Sequence, residues 1–351
     1  MDFTPTEEQQ AARELAARIF GDLATHERLA ASGTGGDAEL WKALCAAGLP
    51  EAVEETGLLG LVLLAEEQGR TTAQVPFTAG CVYGLLAVAR HGTEEQRTRL
   101  LPGLRDGTTV VTGAFPATDG QGAVRAAAGG RLTGSVPWVP WLREATHVLV
   151  PDEHRVLWLV STADAGPAEP VELTAPWSAG RLVLDGTPGE RLGAAGDPQG
   201  AAYADVLAAA RIAFAGLQAG VCAGSLARAV AYTSVREQFG RPLSSNQAVQ
   251  LRAADAYMDT ESIRVTAYEA AWRYDQALPA AEHALTAAWW ASEAGKRVVH
   301  AGQHLHGGMG ADLDHPVHRH FLWGRQLDAY LGCGTELLAE LGDLLAKGEA
   351  A

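Results

Sequence analysis

Two alanine-rich blocks, residues 201–234 and 245–275, are separated only by the segment Val235-Arg236-Glu237-Gln238-Phe239-Gly240-Arg241-Pro242-Leu243-Ser244. Alanine is the strongest helix former, and each block is longer than an ordinary helix. The chain must therefore double back at this break as a long antiparallel pair. Gly240 and Pro242 end helical continuity. Arg236 falls near the end of the first block, where a cation complements the helix dipole. Ser244 with Gln247 reads as a capping box that opens the second helix. The corner thus carries a guanidinium, an aromatic ring (Phe239) and a fresh helix N-terminus. Guanidinium forks match phosphate oxygens and helix N-termini attract anions, so the corner suits a diphosphate.

Two further helical patterns, about 279–304 and 316–347, complete an expected antiparallel four-helix bundle. Pro279 reads as a first-turn proline, with Glu282 in that turn. Residues 4–107 also read as helical. Thr4 is the expected N-cap, with Pro5 and Glu7 behind it. Trp41, Leu44, Cys45 and Leu49 have amphipathic spacing, and Leu58 to Glu67 is apolar enough for a buried helix. Thr93-Glu94-Glu95-Gln96 opens another helix, expected to end near Pro102-Gly103. Between these helical regions, runs 108–112, 146–150, 156–160 and 181–184 are β-branched or alternating, with Gly, Pro and Asp between them. The Gly/Ala stretch 117–130 reads as a flexible loop. The expectation is a mostly α fold with a small β domain. It comprises a helical domain at 1–107, a β-barrel or sandwich at 108–190 and the bundle at 191–351.

The net charge of −15 argues against nucleic acid or a membrane surface as partner, since both are anionic. A local basic pocket for a small anionic ligand is still compatible with it. Cys45, Cys81, Cys222 and Cys333 are far apart with no CxxC, which suits reduced thiols. The polar start shows no signal peptide, and no uninterrupted apolar run reaches the ~18 residues of a membrane span. A cytoplasmic protein is expected. His304, His306, His315, His318 and His320 lie close in sequence, but no cysteine or paired carboxylate joins them, and no metal is expected.

Arg236-Glu237-Gln238-Phe239-Gly240 followed by Gln247 resembles the FAD corner of the acyl-CoA dehydrogenase family. His306-Gly307-Gly308-Met309-Gly310, then Asp314-His315-Pro316, resembles that family's later His-Gly-Gly-x-Gly element. Met1-Asp2-Phe3-Thr4-Pro5-Thr6-Glu7-Glu8-Gln9-Gln10 resembles its usual opening. The three matches fall in family order and span nearly the whole chain. The resemblance implies FAD as cofactor and an acyl-CoA thioester as substrate. A carboxylate would take the α-proton while a hydride passes to the flavin. It further implies cofactor contacts from Arg236, Gln238, Phe239, Gln247, Gly307 and Gly308, reaching across to a neighbouring subunit's flavin. His304 falls where the family usually has a glutamine beside the phosphates, and Trp138 where it often has a tryptophan beside the flavin ring. The helical N-terminal region would wall an acyl pocket, and the bundle would carry an oligomer interface.

Several positions depart from the family pattern. Pro140 stands where a threonine hydroxyl commonly bonds the flavin edge. Thr112-Gly113-Ala114-Phe115-Pro116 replaces a Thr-Glu-x-Gly-x-Gly-Ser-type loop. The base, usually a glutamate, falls on Leu331 after Tyr330, or on Cys333 if Gly334-Thr335 is matched instead. The family's minority position, just before Arg211, is Ala210. Of the nearby acids Asp328, Glu336, Asp314 and Asp205, Asp328 lies one helical turn before Leu331 and is the candidate replacement. The resemblance is thus to the short, base-less subunit that some actinobacterial steroid side-chain dehydrogenases pair with a longer catalytic chain. An autonomous dehydrogenase or variant flavoenzyme with a relocated base, and a flavin-free scaffold, are the alternatives.

Overall fold

The computed structural model describes residues 2–115, 124–193 and 200–348. The chain opens with α1 (Glu7–Leu23), α2 (His26–Ser32), α3 (Ala38–Ala46) and α4 (Leu49–Thr71). A short α5 (Phe77–Ala79) widens into a π-helical stretch, Gly80–Leu86, before α6 (Ala87–His91) and α7 (Glu94–Asp106). Thr6, not Thr4, caps α1: its hydroxyl accepts from Gln9 N at 3.2 Å, and Gln9 Oε1 accepts from Thr6 N at 2.9 Å. Gln9 decides the register, because its amide also donates to Thr56 O at 2.9 Å and ties the helix start to α4. Helix α7 runs past Pro102 to Asp106, since Leu101 and Leu104 are buried and the stop comes only at Gly107, in left-handed backbone at φ 78°. The Leu58 to Glu67 run is buried as expected, but α4 is interrupted just before it by Gly57, at φ 74° and ψ −163°.

Two four-stranded sheets follow. Their strands are β1 (Val111–Gly113), β2 (Arg125–Ala127), β3 (Arg131–Val139), β4 (His147–Pro151), β5 (Leu157–Ser161), β6 (Glu169–Pro170), β7 (Gly180–Pro188) and β8 (Glu190–Arg191), with a single-turn α8 (Thr162–Ala165) after β5. The orders are β1-β4-β5-β8 and β2-β3-β7-β6. Among the described strands β1 and β4 pair in parallel and the other pairs are antiparallel. Alternate residues of β7, such as Leu182 and Leu184, meet Leu132, Val136, Val148 and Val160 in a small core of their own. The first strand begins later than expected, because Thr108 turns back to Asp106, donating its hydroxyl to Oδ1 at 2.6 Å. Within the expected loop 117–130, residues 125–127 form β2, while 117–123, like Pro116, lie outside the described residues.

The bundle is built from α9 (Ala201–Val235), α10 (Gln247–Asp275), α11 (Ala281–Leu305), α12 (Val317–Ala329) and α13 (Gly334–Ala346). At the corner, β9 (Glu237–Gln238) and β10 (Arg241–Pro242) pair as a miniature hairpin, followed by a 3₁₀ turn at Leu243–Ser245. That turn displaces the expected Ser244 cap. Asn246 caps α10 instead, its Oδ1 accepting from Ala248 N at 2.9 Å. The expected single helix 316–347 is two helices. Leu331 at φ 67° and Gly332 at φ 115° break it. Helix α9 is long and apolar enough to cross a membrane by length and composition, yet 83% of its apolar window is buried, packed against α4, α10, α11 and α12.

Candidate functional site

Arg211, buried on α9, draws together the positions at which a base was expected. Its Nε donates to Leu331 O at 3.4 Å, and Ala210 beside it is wholly buried. No carboxylate stands at either position. The guanidinium instead forks onto Glu340 of α13, at 2.9 and 2.6 Å. Glu340 was missed from sequence because its approach depends on the break before α13, and its partner lies 129 residues away.

Three of the four acids nominated from sequence are engaged elsewhere. Asp328 accepts from Ser292 Oγ at 2.7 Å and pairs with Arg325 at 3.0 Å. The helical-turn argument linking it to Leu331 fails, because Leu331 lies past the end of α12 in left-handed backbone. Glu336 Oε2 accepts from Cys333 N at 2.9 Å, so Cys333 is the cap of α13. Asp205 receives His91 at 2.7 Å, the Tyr274 hydroxyl at 2.6 Å and Arg90 at 3.2 Å. Asp314 is exposed.

Around Leu331 the junction of helices and sheets is filled with rings. Tyr330 packs on Phe214, Trp138 and Trp177, with centroids 4.7, 5.9 and 6.0 Å away. Its hydroxyl meets that of Tyr83 at 2.9 Å, Tyr83 stacks on Phe115 at 5.1 Å, and Phe115 stacks on Tyr203 at 5.5 Å. Burial pushes the phenols of Tyr83 and Tyr330 far above their ordinary range, so both are neutral hydrogen-bonding groups. Trp138 is half-buried against Tyr330. Pro140 is buried and its carbonyl accepts from the Thr112 hydroxyl at 2.6 Å. The Thr112 hydroxyl on β1 is therefore committed to Pro140 and does not replace the hydroxyl expected at position 140.

The opposite character holds at the corner. Arg236, Gln238, Phe239 and Gln247 are all exposed, and Phe239 is fully so at φ 53°. One turn before Arg236, Tyr232 stacks on His306 at 4.9 Å, which brings the Gly307–Ala311 turn beside the end of α9. His306 is buried, bonded through Nδ1 to Gly302 O at 2.7 Å, whereas His304 faces solvent. Gly307 has φ 61°, and a Cβ added at Gly307 or Gly308 would meet nothing within 4 Å. Backbone can approach a ligand closely there. The arrangement fits a diphosphate presented from outside the chain. Of the other clustered histidines, His320 is fully enclosed, and burial lowers it to about 4 while its Nε2 lies 3.0 Å from Arg70 O.

Family models agree with these features: the N-terminal domain of acyl-CoA dehydrogenases matches residues 6–108 and their C-terminal domain residues 199–340. The acyl-CoA dehydrogenase FadE27 of Mycobacterium tuberculosis is 35% identical over 376 aligned positions, covering the whole of both chains. This chain belongs to the acyl-CoA dehydrogenase family. FadE28 of the same organism is 28% identical over 97% of the chain and 98% of its own length. Among solved structures, a variant of the Tcur3481–Tcur3483 steroid ACAD is 40% identical, with TM-score 0.90 over 98% of this chain and 99% of its own. The ChsE4–ChsE5 complex from Mycobacterium tuberculosis is 33% identical, with TM-score 0.91 over 99% of each chain. Butyryl-CoA dehydrogenase from Megasphaera elsdenii, at 22% identity and TM-score 0.86, shares the acyl-CoA dehydrogenase fold. FAD is the family's cofactor.

Proposed function

We propose that this chain is the base-less member of a hetero-oligomeric acyl-CoA dehydrogenase, supplying the diphosphate corner to an FAD seated on a longer catalytic chain. The observation that carries the reading is the contrast within one chain. The Arg236 corner is complete and faces outward, whereas Leu331 and Ala210 leave both base positions without a proton acceptor. Two of its relatives are described as two-chain assemblies, which supports pairing with an unlike partner. FAD, when bound, accepts the hydride removed from the β-carbon of the acyl thioester. Arg236, with Gln238 and Phe239, would neutralise and orient the diphosphate, and the glycine turn at 307–308 would let backbone close on it. Removal of the α-proton falls to the partner, since neither family position for the base holds a proton acceptor among the described residues. One relative is described as a steroid enzyme, so a polycyclic acyl-CoA is the first substrate class to test. A cytoplasmic setting suits both CoA chemistry and the unpaired cysteines.

The test is flavin content. Co-purified with a longer dehydrogenase chain, the Arg236→Ala variant should lose most of its bound flavin, measured by absorbance against protein. Full flavin occupancy in that variant would overturn the assignment.

A further inference from the structure

Arg211 is a buried cation at the heart of the junction, and a buried charge left unmatched is costly. Among the described residues its counter-ion is Glu340, which meets it through both carboxylate oxygens. The remaining guanidinium nitrogen, Nε, points at the Leu331 carbonyl. A single cation therefore touches both the vacated position 331 and the helix that follows it.

The backbone between α12 and α13 is shaped for this contact. Leu331 takes a left-handed conformation that non-glycine residues adopt only when surroundings impose it. Gly332 continues the reversal, and Glu336 then recaps the chain at Cys333. Helix α13 lies on α11 through the small apolar cluster of Leu285, Ala288 and Leu337. That seam holds the helix on α11, and Glu340, one turn after Leu337 on a neighbouring strip of the same face, ties it to α9.

We propose that Glu340 is the replacement counter-ion for Arg211, so that a carboxylate at position 331 and the Glu340 anchor of α13 exclude one another. This rests on the reading of 331 as the vacated base position. A glutamate at 331 would stand within reach of the same guanidinium, because Arg211 already bonds the backbone of that residue. Two carboxylates would then compete for one buried guanidinium, and because Glu340 is exposed at the helix surface it is the one free to leave for solvent. The chain has exchanged a proton acceptor for a structural anchor, and restoring the first displaces the second.

A double-mutant cycle on the assembled protein tests this, comparing wild type, Leu331→Glu, Glu340→Gln and the double variant by thermal unfolding. Each single change should lower Tm by roughly 5 °C, and the double variant should unfold above the lower of the two singles. Strictly additive losses would overturn the proposal. Chymotrypsin cleavage after Tyr330, between α12 and α13, gives a second reading: it should accelerate in both singles and return towards wild type in the double. Should Leu331→Glu fail to accumulate, Arg211→Met with Glu340→Gln replaces it. Removing both partners should destabilise less than Glu340→Gln alone, and an equal or larger loss would count against the idea. Neither readout depends on flavin, so its failure leaves the Arg236 assignment standing, and loss of that assignment leaves this coupling intact.

Discussion

Asp275, the last residue of α10, sits directly over Gly57 in the middle of α4: a Cβ on Gly57 would lie 2.7 Å from its Oδ1. The carboxylate accepts from Leu58 N at 2.8 Å and Leu59 N at 2.9 Å, so a bundle residue caps the second half of a helix from the N-terminal region. Gly57→Ala must displace that cap and also force an alanine to φ 74°. The expected cost is about 1–3 kcal/mol. Urea unfolding of the variant measures it, and a stability equal to wild type would show that the cap is dispensable.

Glu66 is the acid-sensitive member of the core. It is fully buried and receives Arg264 Nη2 at 2.7 Å, the Tyr268 hydroxyl at 2.7 Å, Arg70 at 3.1 Å and Arg13 at 3.4 Å. Burial pushes its carboxyl up, but the Arg264 hydrogen bond and the neighbouring cations outweigh this and hold it below its ordinary 4.5. A carboxylate depressed in the fold stabilises fully above its unfolded pKa, and that contribution disappears as pH falls through the folded value. Glu66→Gln should therefore cost about 3–5 kcal/mol at neutral pH, and less as the pH drops below the ordinary glutamate range. Denaturant midpoints of wild type and variant, compared across that range, give the result. A constant gap between them would contradict it.

Leu251, Met258 and Val265 repeat every seven residues along α10 and are 58%, 58% and 48% exposed. Such spacing places them on one helical stripe, an apolar ridge that soluble monomers seldom leave bare. The Met258→Glu variant should shift assemblies of this chain, with itself or with a longer dehydrogenase, to smaller species in light scattering. An unchanged mass would place the interface elsewhere.

Catalysis should be absent from the isolated chain. Leu331 and Ala210 cannot accept a proton, and Cys333 serves as a helix cap. Mixed anaerobically with a range of acyl-CoA thioesters, flavin-supplemented chain should show no bleaching of the flavin band. The Leu331→Glu variant should remain inactive as well, because Pro140 supplies no hydroxyl and the rings of Tyr330, Tyr83 and Phe115 occupy the junction. Rapid bleaching by unmodified chain would mean that the base has been relocated.

The helical and strand content was legible because alanine-rich and β-branched runs carry their preference locally. What escaped was set by contacts distant in sequence. The run from 316 to 347 is helix-forming on either side of Gly332-Cys333-Gly334. Gly332 and Gly334 are the local sign of a break, but that Leu331 itself turns left-handed is set where Arg211, 120 residues earlier, meets its carbonyl. The caps erred by two residues in the same direction, Thr4 for Thr6 and Ser244 for Asn246. In each case more than one capping residue preceded the helix, and a tertiary bond or a 3₁₀ turn chose between them. The corner was recognisable by its residue order, and its outward orientation follows from the length of α9. His304 and His306 are two positions apart on a helix end, so only packing on Tyr232 could decide which of them turns inward.

Phe239 holds its entire ring in water at the tip of the corner, on a backbone that non-glycine residues rarely adopt. A copy without a partner therefore displays, at its most prominent point, the kind of apolar signal by which chaperones and proteases recognise unfinished proteins. Its lifetime in a cell would then be set less by its own folding than by the supply of whatever covers that ring. Overproduction of this chain alone should yield short-lived or aggregated material, and matched production with its partner should rescue it. Under the proposed pairing, production of the two chains in fixed ratio would then follow from one side chain.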